Sequence, residues 1–87
     1  MAPVNMAASA YKHGFELEHA LYVMAHPVGR RRIDETSRGE VWVYVGYPRE
    51  GSDRRVELIV EQIPPRTIEV FHLMDLTDLW RHLWTEQ

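Results

Sequence analysis

From Val41 to Val45, valine alternates with Trp42 and Tyr44, so three aliphatic side chains point one way and two aromatic rings the other. A period of two over this length specifies a β-strand with two unlike faces. The pattern returns from Arg55 to Gln62, where Val56, Leu58 and Val60 share one parity and Glu57 and Glu61 the other. Between these runs, Tyr47 to Asp53 carries Pro, charged residues and Gly, the composition of a longer hairpin loop. Val28 to Asp34 reads as a more polar strand, suited to a sheet edge, and Glu35 to Gly39 as the polar turn leading out of it. Pro64-Pro65-Arg66 turns the chain into a last strand, Thr67 to Leu73. Four sequential strands with short links predict a four-stranded antiparallel β-meander.

The flanks read as helical. Residues 1–6 form a flexible tail, and residues 7–87 a single α+β domain. Ala7 to His13 is Ala-rich, with Gly14 placed as its stop, and predicts a short first helix. A second runs from Phe15 to His26, with Leu17, Ala20, Leu21 and Met24 on one stripe and Phe15, His19, Tyr22 and His26 on the other. His26-Pro27 ends it. Leu76, Leu79, Trp80, Leu83 and Trp84 trace an apolar stripe that predicts an amphipathic C-terminal helix from about Thr77, its candidate N-cap.

Composition narrows the functional classes. With 87 residues and no cysteine, the chain has no disulfide framework, no thiolate metal site and no thiol nucleophile. No run approaches the roughly 20 apolar residues of a membrane span, and the N-terminus lacks a secretory pattern, so a cytoplasmic protein is expected. A net charge of -3 gives no global attraction to nucleic acid, yet all the arginines except Arg81 lie between Arg30 and Arg66. Phosphate-loop, dinucleotide-binding, serine-hydrolase and paired-histidine zinc motifs are all missing. His19 and His26 stand two helical turns apart, too far to share one ion, so neither a metal nor a cofactor is expected.

Lys12-His13-Gly14 is the most distinctive segment. Followed by Phe15, Glu18, Ala20 and Pro27, it resembles the Lys-His-Gly segment of BrnT-type toxins, small bacterial proteins of the RelE superfamily, and by element order the resemblance extends from Ser9 to Leu73. His72-Leu73-Met74 is similar to the last strand of a related toxin-like group. The resemblance implies a toxin of a type II toxin-antitoxin system, a ribonuclease acting on mRNA and held inactive by a cognate antitoxin. The chain departs from the family in having Ala-Ala-Ser-Ala before the Lys-His-Gly segment, and Met74 where an arginine-rich sequence ends the last strand.

Metal-independent RNA cleavage needs a base for the 2′-hydroxyl, an acid for the leaving 5′-oxygen and cations for the phosphorane. Histidine titrates near neutrality and suits both proton-transfer roles, so Lys12, His13 and His72 are the catalytic candidates, with Arg32, Arg54 and Arg55 as RNA contacts. Each has a structural alternative: a solvated helix end at Lys12 and His13, a core-side strand histidine at His72, edge protection for the arginines. Trp80 and Trp84 serve either the core or a partner-binding surface. The competing function is a non-catalytic interaction module or degenerate toxin, and a homo-oligomer is compatible with either.

Overall fold

The computed structural model describes residues 4–84. Five strands, β1 Val4–Met6, β2 Gly29–Glu35, β3 Glu40–Gly46, β4 Val56–Ile63 and β5 Thr67–Asp75, form one sheet in the order β1-β5-β4-β3-β2. The consecutive strands β2 to β5 pair antiparallel, whereas β1 pairs with β5 in parallel. One α-helix, α1 Leu17–Ala25, and two 3-10 turns, Ala8–Tyr11 and Arg81–Leu83, complete the fold.

The predicted architecture is corrected in three places. The sheet is a five-stranded mixed one, not a four-stranded antiparallel meander, because Val4–Met6, expected as tail, aligns with Ile68 to Val70. In place of two N-terminal helices there is a 3-10 turn and one helix. The Ala7 N–H donates to the Val70 carbonyl at 2.8 Å and the Ser9 hydroxyl to that of Phe71 at 3.1 Å, so the sheet claims groups that a helix would use. The amphipathic C-terminal helix is absent among the described residues, which form only a 3-10 turn. A helix this short is not stable on propensity alone. Thr77, its expected N-cap, instead gives both its N–H (2.7 Å) and its hydroxyl (2.6 Å) to Glu57 Oε1.

One sheet face carries Val56, Leu58 and Val60 of β4 with Val70 and Leu73 of β5 and Tyr44 of β3. They pack with Ala10, Phe15, Ala20 and Val23 into the core. The buried stripe of α1 is therefore Ala20 and Val23, and Leu21, assigned to the apolar stripe from spacing, is exposed. The other face carries Val43, Val45, Glu57 and Glu61, all buried. The chain after β5 crosses it. The Leu76 N–H donates to the Arg55 carbonyl at 3.0 Å, and the Trp84 ring meets Tyr47 edge-on at 5.1 Å. Gly29 lies so close to this segment that a Cβ there would fall 1.9 Å from the Leu83 carbonyl oxygen.

Candidate functional site

Gly14 adopts φ +86°, a left-handed conformation that glycine takes without the steric cost other residues meet. The backbone turns sharply there, leaving Lys12 and His13 exposed and driving Phe15 into the core. His19, in the first turn of α1, accepts the Glu16 N–H on Nδ1 at 2.9 Å, so a neutral ring carries its proton on Nε2. Phe15 and His19 meet edge to face at 5.7 Å.

The loop between β3 and β4 closes over this corner. Arg54 lies 4.5 Å above the Phe15 ring and grips Asp75, at the end of β5, with Nε to Oδ1 at 2.6 Å and Nη2 to Oδ2 at 3.1 Å. The Arg54 guanidinium holds the Asp75 carboxyl below its usual range, with a smaller contribution from the charge of His13. A cleft of about 230 Å³ opens here, lined by Gly14, Phe15, His19, Pro48, Arg49, Ser52 and Arg54. The structure thus gathers one of the three arginines expected to contact RNA beside the Lys12-His13-Gly14 corner. Arg49, His19 and Asp75 were not singled out for this corner by sequence reasoning. The periodicity of strands and helices does not extend into the loop that supplies Arg49, and Asp75 lies past Leu73, where the last strand was expected to end.

His72 is elsewhere. Pairing shifts between Ile59 and Val60, so that Ile59 faces His72 while Val60 faces Val70, leaving Phe71 as an extra residue. This bulge reverses the parity that would have placed His72 with Ile68 and Val70. Its ring instead joins Glu57, Nε2 to Oε2 at 2.8 Å, on the face opposite the core. Glu57 is 2% exposed and accepts Thr77 on its other oxygen, so His72 belongs to the network that fastens the C-terminal segment.

The other two arginines are also separated. Arg32 on β2 donates to Glu40 at 3.2 Å, and Glu40 is held below its usual pKa by the Trp42 indole N–H and then by Arg32. Arg55 lies 4.7 Å over the Trp84 ring. Trp84 therefore packs within its own chain, while Trp80 is half-buried with its ring tilted against His82 at 6.2 Å. A second, larger cleft of about 600 Å³ lies between the two hairpin turns, lined by residues including Arg38, Gly39, Pro64, Pro65 and Arg66. Beneath it the buried Glu61 accepts the Thr36 hydroxyl at 2.6 Å and Arg38 Nη2 at 2.5 Å, which together hold its pKa down.

Among the described residues no three His, Asp or Glu side chains gather as metal ligands, and no helix is long and apolar enough to cross a membrane. Comparison with family models, curated proteins and solved structures finds no match to this chain.

Proposed function

We propose that this protein is a toxin-like, metal-independent endoribonuclease of the BrnT and RelE kind, restrained by a cognate antitoxin, with its reaction at the Lys12-His13-Gly14 corner. The reading is supported by the Lys12-His13-Gly14 segment, whose Gly14 lines one cleft together with His19, Arg49 and Arg54. In this reading one imidazole takes the 2′-hydroxyl proton and the 2′-oxygen attacks phosphorus. The 5′-oxygen then leaves with a proton from an acid, and the products are a 2′,3′-cyclic phosphate and a 5′-hydroxyl. His13, exposed and unburdened by a carboxylate bond among the described residues, is the first proton carrier. In this reading the neutral His19 ring gives its Nε2–H as a hydrogen bond to a phosphate oxygen, and the imidazolium formed at His13 passes its proton to the 5′-oxygen. Lys12 and Arg49 counter the phosphorane charge, while Arg54, already shared with Asp75, orients the phosphate. His72 takes no part.

Expression in bacteria tests this. The wild type should arrest growth and fragment messenger RNA, a Lys12→Ala, His13→Ala variant should do neither, and His72→Ala should keep toxicity if the protein accumulates. Normal growth with intact messenger RNA for the wild type contradicts the proposal.

A second reading, the non-catalytic interaction module, is favoured by one observation: Arg32 and Arg54 meet carboxylates, Arg55 an indole and His72 a buried glutamate within the fold itself. It predicts a stoichiometric complex with a partner protein and no RNA turnover by the purified chain.

A further inference from the structure

β2 ends the sheet among the described residues, and beyond Gly29, which the Leu83 carbonyl abuts, its outer N–H and C=O groups have no neighbouring described strand. Such an edge invites pairing with any extended chain, and proteins usually blunt it with charges or a bulge. β2 has both, a register irregularity at Ile33 and the run Arg30-Arg31-Arg32. Yet the charge is of one sign over the regular part of the strand. Opposite Tyr44, Val43 and Trp42, the three arginines alternate between the faces. Arg30 lies 5.3 Å over the Trp42 ring, Arg31 Nη1 approaches His82 Nε2 at 3.5 Å, and among the described residues only Arg32 of the three meets a carboxylate, that of Glu40. Nearby Asp34 turns its carboxylate back to the Glu35 N–H at 2.7 Å. The edge therefore keeps unneutralised positive charge on both faces.

We infer that β2 is a docking edge for an extended, acidic segment of a partner protein, which adds as a sixth strand and sets carboxylates against Arg30, Arg31 and Arg32 on alternating faces. Backbone hydrogen bonds along the edge supply affinity, and the arginines supply selection and speed of encounter. A second copy of this chain is a poor occupant, because antiparallel β2 to β2 pairing would oppose one arginine run with another. The edge is built from residues other than those of the Lys12-His13-Gly14 cleft, so the inference does not rest on the ribonuclease reading.

Amide NMR titration of the intact chain tests it, using a short peptide of alternating Glu and Thr, the same peptide with Lys for Glu, and an RNA oligonucleotide of matching charge. The Glu peptide should shift the amides of Gly29 to Asp34 and slow their hydrogen exchange, and the Lys peptide should not bind. Arg30→Glu, Arg31→Glu, Arg32→Glu together should weaken the Glu peptide by about tenfold or more, equivalent to about 1.4 kcal/mol, and admit the Lys peptide. If that variant does not fold, Arg30→Gln with Arg32→Gln must still weaken the Glu peptide measurably. The inference is overturned if the Glu peptide leaves β2 unshifted, if a backbone N-methylated version binds equally well, if the variants bind it unchanged, or if RNA occupies the edge in its place.

Discussion

Glu57 and Glu61 stand on the same side of β4, and both are buried, at 2% and 3% exposure. A carboxylate removed from water must have its oxygens satisfied, and each does. Glu57 bonds His72 and Thr77, and Glu61 bonds Thr36 and Arg38. Glu57→Ala would leave the Thr77 N–H and hydroxyl and the His72 ring without that partner, and should cost roughly 3 kcal/mol in urea unfolding. Glu57→Gln, which keeps an acceptor oxygen and the shape, should cost clearly less. Equal stability of wild type and Glu57→Ala would show that the network contributes nothing. In the sequence these glutamates mark a polar face, which ordinarily means solvent. Nothing local reveals that distant residues, Thr77 and Arg38, cover them. The paired valines were legible because burial of an aliphatic row needs only parity. Burial of a carboxylate needs named partners from elsewhere in the chain.

At the scale of elements, β2 to β5 and α1 were readable, whereas β1 and the expected first and C-terminal helices were misread. β3 and β4 fall on the runs whose alternation predicts them, since every side chain repeats the same choice of face. The C-terminal stripe satisfies helical spacing equally well, yet Leu79 is 67% exposed and Trp84 is drawn against Tyr47 and Arg55. Tertiary contacts outweigh the weak propensity of so short a segment. The bulge at Phe71 was likewise invisible to a parity count, and it is what moved His72 away from the candidate site. Two glycines test these packings. Gly29→Ala would place a methyl against the Leu83 carbonyl and should lift the C-terminal segment, lowering stability by roughly 1–3 kcal/mol and exposing tryptophan to acrylamide quenching. Unchanged quenching would contradict the close approach. At Gly14 there is open space for a Cβ, so Gly14→Ala should cost only the conformational strain, roughly 1–2 kcal/mol in thermal or urea unfolding.

Over the whole molecule, the sheet divides the chemistry between its faces: the Lys12-His13-Gly14 corner with Arg54 and Asp75 on the core side, and the His72-Glu57-Thr77 network on the other. Three carboxyls, Glu40, Glu61 and Asp75, have pKa values lowered by folding. A lowered carboxyl pKa adds stability above the unfolded value, about 4, and that stability is lost as pH falls through the folded value. The melting temperature should therefore stay nearly level from about pH 7 to 5 and fall steeply below about 4, with a shallower acid limb in Glu61→Gln. A main loss centred between about pH 5 and 7 would contradict that assignment. The Lys-His-Gly segment was legible as a motif, but its neighbours Arg49, Arg54 and Asp75 come together only through a loop and a strand end. The central claim is tested most directly by incubating the purified chain with RNA in EDTA. The wild type should release fragments ending in 2′,3′-cyclic phosphate, spare a 2′-O-methyl substrate, and lose about a hundredfold in rate on His13→Ala. No cleavage by the wild type, or cleavage undiminished in His13→Ala, would contradict it.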